Sequence, residues 1–417
     1  MLPCWHLSRR ASTHLVASIN LIRSSLCRNT LFSPKRTARR EISTAGVGAL
    51  EDIALGPNCD IYISTSTDPY FNLTVEDWLF RHARESSPLL FIYRNSPCVV
   101  IGRHQNPWTE VNFGALRAAG IPFLRRRSGG GTVFHDLGNS NFSVHLPRAS
   151  FDRHVTGQLV LRAVRALDID ARLNERNDIC VGPDKISILH HFPPTWPYFA
   201  GSAYKIVNRR AYHHGTMLIS TRLDQLGDVL RPVKKQIVTK GVESVRSPVC
   251  NLQQYKRITH EDFKAALITE FRKDYGIVTD ACLVQDTAAV RSMGYICQGI
   301  SELTTWDWLY GQTPEFTQTA SRIFPWGEAA VRIRAKHGVI LECSLQVENT
   351  LLSSAKVGVL QERVRAESEN KRYGFEGEVL SKNSAMPKSC IPSTSEISQG
   401  EQAFRDVELW LGETMQG

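Results

Sequence analysis

Residues 125–134 read RRRSGGGTVF: three arginines, a serine, three successive glycines and then Thr132, Val133 and Phe134, followed by His135 and Asp136. Three adjacent glycines are costly to order, because each loses more backbone freedom than any other residue. Anion binding is the chemistry that would justify them. Consecutive bare amides form a concave nest, and flanking guanidinium groups add charge-assisted hydrogen bonds to phosphate or carboxylate. A flexible loop is the competing reading of the same stretch. Neither GxxxxGK[ST] nor a GxGxxG run after a strand occurs, which excludes a P-loop and a dinucleotide fingerprint.

A second basic element is Lys185, in RNDICVGPDKIS. Lysine just beyond a buried strand can neutralise a carboxylate and an α-phosphate that must approach each other, since two anions repel unless fixed charge is aimed at them. Taken alone, it also reads as a solvated surface residue. His213 and His214 are neighbours in a strand-like run, so they point to opposite faces and do not form a metal pair.

Several elements must position these residues. DIYISTSTD (60–68) alternates like a strand, and FNLTVEDWLFRHA (71–83) has helical apolar spacing. The runs 89–95 and 98–102 read as buried strands, 114–120 as a short helix, and 121–127 as a strand entering the glycines. Further strands are expected at 141–146, 178–182, 201–207 and 213–220. Helices are expected at 154–167, 222–230 and 260–276, the last stopped at Gly276. Strands and helices without a strict βαβ rhythm imply an α/β or α+β catalytic domain on a mixed sheet. From about residue 300 the character changes, and 329–347 resembles a hairpin turning at His-Gly. Residues 380–400 are rich in Ser and Pro and are expected to be disordered.

The chain has 417 residues and a formal charge of +9. Residues 1–40 hold eight Lys or Arg and no acid, which leaves 42 basic against 41 acidic residues in the remainder. A nucleic-acid-binding face is therefore not supported by charge, and no run of apolar residues is long enough for a membrane span. The leader is Arg- and Ser-rich, acid-free and amphipathic, the composition of a mitochondrial transit peptide (1–45); a disordered basic tail is the alternative. Ten cysteines show no C-x-x-C spacing and are expected to be mostly reduced.

The blocks DPYFNLTVEDWLFR, RNSPCVVIGRHQNPWTEVN, RRRSGGGTVFHDLGNSNFS, RNDICVGPDK, GSAYKI, RAYHHGTMLIS, TKGVESVRSPVCNL and WDWLYGQTPEF occur in this order. Together they resemble the lipoate–protein ligase A family from about residue 58 to about 345. The resemblance implies a biotin/lipoate ligase-like catalytic domain (58–298) with a small accessory domain (299–417). It implies that lipoate and MgATP give lipoyl-AMP, and that the lipoyl group then passes to a lysine of a lipoyl domain. The acceptors would be acyltransferase subunits of 2-oxoacid dehydrogenases and the glycine-cleavage H protein, and the enzyme would be a monomer in the mitochondrial matrix.

Carried over by position, Arg126 would contact the nucleotide, and Gly131, Thr132, Val133 and Phe134 would wrap ATP and the adenylate. Gly129 and Gly130 would let the backbone approach. Lys185 would bridge the lipoate carboxyl and the α-phosphate as the catalytic residue. Asn177 and Asp178 would hold the adenylate end, with Asp178 also a magnesium or ribose contact. His135 and Asp136 read equally as a satisfied structural pair. One departure stands out: ILHHFPPTWPYFA (188–200) separates Lys185-Ile186-Ser187 from Gly201-Ser202-Ala203-Tyr204-Lys205, which are continuous in the family pattern. A lineage-specific lid and a translated intron are the two explanations. An ATP-independent lipoyltransferase, or a lipoate-binding homologue impaired by the insert, remains the alternative function.

Overall fold

A computed structural model of the protein describes residues 59–174, 178–182, 184–185, 187–188, 203–207, 209–230, 236–244, 249–374 and 398–416. In chain order the strands begin with β1 (Ile61–Ser64), β2 (Leu89–Tyr93), β3 (Cys98–Ile101), β4 (Phe123–Arg125), β5 (Val133–His135) and β6 (Asn139–Pro147). Then come β7 (Ala171–Leu173), β8 (Ile179–Val181), β9 (Asp184–Lys185), β10 (Ser187–Ile188), β11 (Ala203–Val207) and β12 (Arg210–Leu218). The last are β13 (Gln236–Thr239), β14 (Cys282–Val284), β15 (Phe316–Phe324), β16 (Gly327–Lys336) and β17 (Val339–Glu348). The longer helices are α1 (Pro69–His82), α2 (Arg153–Arg165), α3 (His260–Tyr275), α4 (Gly294–Thr304), α5 (Ser354–Ser368) and α6 (Gln399–Gln416).

The main sheet runs β10-β12-β6-β2-β1-β14, with β11 also paired to β12. It is mixed: β12, β6 and β2 are antiparallel neighbours, whereas β1 pairs in parallel with both β2 and β14. Strand β6 explains why both faces are covered. Its Phe142, Val144 and Leu146 belong to the core formed with Leu159, Val160, Phe263 and Leu267 of α2 and α3. The alternate residues Asn141, Ser143 and His145 face the other way and are buried as well. Strands β10 and β11 lie along the same neighbour: Ser187 pairs with Met217, Ile188 with Thr216 and Ala203 with His214.

Helix α1 lies on the polar face of the sheet. Asp68 caps it by accepting from the amides of Tyr70 and Phe71, and Pro69 occupies the first turn, where no amide hydrogen is needed. Its residues from Phe71 through Phe80 are all buried, so the adjacent carboxylates Glu76 and Asp77 are carried inside with the apolar ones. The small sheet β4-β3-β5 carries the arginines and leads into the glycine loop.

The later sheet, β13-β15-β16-β17, is covered by α5 and α6, whose Leu360, Val364, Phe404, Val407 and Trp410 share a core with Val331, Ile333 and Leu345. The expected hairpin is present and turns at His337-Gly338, both with positive φ. Helices α5 and α6 were not expected, and α6 begins at Gln399, inside the stretch predicted to be disordered; residues 375–397 lie outside the described residues. The expected boundary near 298 is bridged in three places. Strand β13 belongs to the later sheet, Trp108 packs on Phe316 and Tyr373, and α4 packs on α1. Most of the described cysteines (Cys98, Cys180, Cys250, Cys297 and Cys343) are free thiols, as expected, and one pair, Cys59 and Cys282, forms a disulfide. The cause is the parallel pairing of β1 with β14, which sets Tyr62 opposite Cys282 and which nothing local in the sequence encodes.

Arg125 is the main bridge. It is fully buried and donates from Nε to Leu309 O (2.8 Å), from Nη1 to Arg103 O (2.7 Å) and Gln105 O (2.9 Å), and from Nη2 to Thr313 Oγ1 (3.0 Å). Burial pulls its pKa down to about 9, still well above neutrality. Arg125→Met orphans several buried carbonyls at once and is expected to destabilise the fold by about 3 kcal/mol or more. Arg125→Lys recovers little of that, because an ammonium cannot reproduce the planar fork. Urea unfolding of the two variants measures both effects.

Candidate active site

The glycine loop is held from below by Arg126. This guanidinium donates to Gly129 O (Nη2, 2.7 Å), Gly131 O (2.7 Å), Val100 O (3.2 Å) and Ser128 Oγ (Nε, 3.0 Å). Burial holds its pKa down to about 10, so it remains charged. In this structure Arg126 clamps the loop through these contacts and also lines the cavity beneath it. The reason is that a tight turn aims carbonyls inward, where only a buried donor can satisfy them. Fixing the carbonyls leaves the amides of Gly129, Gly130 and Gly131 uncommitted: among the described residues none of the three donates to a protein acceptor.

Two positions require glycine. Gly130 has φ 89°, which side chains rarely adopt. A Cβ on Gly102, in the turn after β3, would lie 1.9 Å from Gly130 O, so the two backbones meet there with no room for a side chain. Arg103 N donates to Ser128 O in the same contact (2.9 Å).

Beyond the glycines the strip divides. Thr132 donates its amide to Ser244 Oγ (2.9 Å), and its hydroxyl lies 3.1 Å from Gln105 Oε1 and 3.2 Å from Glu110 Oε2. Ser244 N donates in turn to Glu110 Oε1 (3.1 Å), which latches residues 240–244 onto the loop. Burial raises the Glu110 pKa. Val133 lines the cavity beneath the loop, whereas Phe134 points the other way into a core with Val99 and Ile101. The expectation that Phe134 wraps a nucleotide is corrected for its side chain, because alternate strand residues face opposite sides.

That cavity lies between the polar face of the main sheet, the small sheet and α1. Leu73, Val100 and Val133 give it apolar walls; Tyr93, Asn141, His214 and Thr216 give it polar ones. His214 Nδ1 meets Glu76 at 3.0 and 3.1 Å, and its Nε2 meets Ser128 Oγ at 2.9 Å. The carboxylate can only accept, so Nδ1 carries the proton and Nε2 accepts from the Ser128 hydroxyl. His213 faces away, bonded to Thr156 Oγ1 (2.7 Å). His135 (Nδ1 to Asn95 Nδ2, 2.9 Å) and Asp136 (accepting from Gly138 N and Arg222 N) are a satisfied structural set, and His135 also touches the cavity.

A second buried acid is Asp77, surrounded by Lys205, Arg81, Arg127 and Tyr295. Burial pushes its pKa up, but Lys205 and the hydrogen bonds outweigh this and hold it near 2. Arg127 also pairs with Glu302 and stacks on Trp308, whose opposing neighbour is Arg103. Glu76, Ser128, Glu110, Ser244 and Lys205 are residues of the candidate site that sequence reasoning missed, whereas one of His213 and His214 was expected to line a tunnel, and it is His214 that lines the cavity. The one local signal was the pair Glu76-Asp77, set among apolar residues on every side of a helix.

Lys185 lies on β9 opposite Cys180 of β8, but its side chain, like Asn177 and residues 189–202, lies outside the described residues. Asp178 is buried in a turn, with its amide donating to Asn174 Oδ1 (2.8 Å). Among the described residues no group of three or more His, Cys, Asp or Glu converges on a metal position.

Residues 68–272 match the family described as lipoyl protein ligase A/B catalytic domain. Lipoate-protein ligase A of Psychrobacter cryohalolentis is 38% identical over 287 residues, covering 67% of this chain and 80% of that relative. The chain belongs to the lipoate–protein ligase A family. This family member also shares its fold with P. falciparum LipL1, whose crystal structure is a complex with lipoate. The TM-score is 0.52 at 23% identity, over 86% of this chain and 100% of that one. The likeness fits the mixed-sheet, biotin/lipoate ligase-like architecture expected from the motifs.

Two tests probe the ligase site. Gly102→Ala forces Gly130 aside and is expected to slow lipoyl-AMP formation about 100-fold, read by pyrophosphate release, because misplacement of a positioning loop by an ångström is enough. The second concerns pH. Burial holds His135 and His213 neutral down to about 3, and His145 well below its usual range. Their unfolded counterparts protonate near 6.5, so the unfolded state binds more protons as pH falls through that value. Stability is complete above pH 6.5 and is lost towards pH 3, by about 1.4 kcal/mol per pH unit for each histidine. Glu110 and Glu408, both raised by burial, oppose this, while His104 and His260, both lowered by burial, add to it. A urea midpoint that stays level between pH 6.5 and 4.5 contradicts neutral burial.

Proposed function

We propose that this chain is an ATP-dependent lipoate–protein ligase. One carboxylate oxygen of lipoate attacks the α-phosphorus of MgATP, the bond to pyrophosphate breaks, and lipoyl-AMP remains bound. The amine of an acceptor lysine then attacks the acyl carbon, and AMP leaves as the amide forms. The observation that carries this reading is the glycine loop clamped by Arg126 on its carbonyl side, with uncommitted amides, above a cavity of mixed apolar and polar lining.

No protein nucleophile is needed. Cys180 is buried in β8 and is not placed in the reaction. The amides of residues 129–131 and the Lys185 ammonium stabilise charge on the transferring phosphoryl group. Magnesium enters with ATP as part of the substrate; Asp178 would supply a carboxylate to it or to the ribose, and Asn177 would help hold the adenylate. The domain arrangement expected from the motifs places residues 58–298 around the chemistry and 299–417 as accessory. Acceptors are lipoyl domains of 2-oxoacid dehydrogenase acyltransferase subunits and the H protein, reached in mitochondria through the basic leader, by a monomer.

An ATP-independent lipoyltransferase is separated from this reading by pyrophosphate, which only the ligase releases from lipoate and ATP. Incubating the full chain with lipoate, MgATP and a lipoyl domain is expected to shift the mass of that domain by one lipoyl group. Lys185→Ala is expected to abolish formation of lipoyl-AMP; adenylate made at the wild-type rate refutes its role. Sequencing the transcript across codons 185–205 decides between lid and intron.

A further inference from the structure

Asn141 is 2% exposed, and neither Nδ2 nor Oδ1 has a hydrogen-bond partner. It sits on β6, the central strand, directly opposite Tyr93 of β2 and Thr216 of β12, and all three line the cavity described above. A buried amide with nothing to bond is disfavoured by the desolvation of both its groups, and such groups in native proteins point to a ligand or water. The two histidines that line the cavity are already bonded: His135 to Asn95, and His214 to Glu76 and Ser128.

Position sets what Asn141 meets. The carboxyl of the acyl substrate belongs at the end where Ser128 and the glycine loop stand. Ser128 bonds His214, which is opposite Ser143; Asn141 lies two residues further along β6. Leu73, Val100 and Val133 suit the methylenes between. The cavity as it stands measures about 20 Å³, room for one water, so the acyl chain enters only as its walls move apart, and its far end is then what reaches Asn141.

We infer that Asn141 is a specificity-determining residue, whose amide selects an acyl chain ending in a dithiolane over one ending in a methyl group. This deepens the ligase reading and rests on it. The sulfurs are polarisable and accept a weak N–H···S hydrogen bond, whereas an octanoyl methyl leaves the amide unpaired. A site whose buried polar group loses its partner rejects the analogue lacking it.

The experiment compares lipoate and octanoate binding to the full chain and to Asn141→Leu by calorimetry, with melting of both proteins in the absence of ligand. Wild type is expected to prefer lipoate, and the variant to narrow that preference by about 3- to 10-fold. The ligand-free variant is expected to melt at or above the wild-type temperature, since an unpaired amide has been removed. An unchanged preference, with both acids bound, overturns the inference and leaves the ligase reading standing. A variant that melts lower and loses both ligands equally marks Asn141 as a structural residue, which also overturns it. If wild type binds neither acid, the assignment of the cavity fails and the inference falls with it. Asn141→Ala supplies the same comparison should the leucine variant not fold.

Discussion

Two guanidinium groups buried among backbone carbonyls hold the structure together at its functional end. Arg125 and Arg126 are adjacent, so they leave β4 on opposite sides. One gathers the turn after β3 and the segment at Leu309–Thr313; the other gathers the glycine loop. Neither has a carboxylate as its hydrogen-bonding partner in these contacts. The desolvation of each charge is offset by several carbonyl dipoles, which makes the arrangement sensitive to geometry and intolerant of any other side chain. Because the turns themselves need donors, charge and loop shape are specified together.

From this follows the division of labour within the site. Arginine holds the carbonyl side of the loop and the backbone of Gly102 holds its edge. The Glu110–Ser244 latch holds the segment arriving from residue 240. The cavity lies on the polar face of a sheet whose other face is an ordinary aliphatic core. Burying Glu76 and Asp77 on α1 requires partners, and the histidine of β12 and the lysine of β11 supply them. Two acids on one helix thus fix two neighbouring strands.

Much of this was legible in the sequence wherever the determining interaction is local. The strand of β6 and the stop at Gly276 are short-range, and the helices and strands stand close to where their periodicity puts them, although the cap at Asp68 starts the first helix two residues earlier than expected. The anion-binding reading of the glycines needs free amides, and among the described residues those of Gly129, Gly130 and Gly131 donate to no protein acceptor. The arginine run read as charge for a ligand, because a sequence cannot say that a guanidinium will be surrounded by carbonyls from residues near 102 and 309. Pairing of β1 with β14, and of β13 with β15, likewise depends on partners up to about 220 residues away, and the disulfide comes with the first of them.

The placement of β10 and β11 along a single neighbour bears on how the chain could have acquired ILHHFPPTWPYFA. Ser187 stands at Met217 and Ala203 at His214, three steps apart on β12. Joining Ser187 directly to Gly201 also puts Ala203 three steps away, with Gly201 and Ser202 falling opposite Thr216 and Gly215. The thirteen residues therefore interrupt a seam that closes without any slip in phase. A shortened chain would keep the same backbone register along β12.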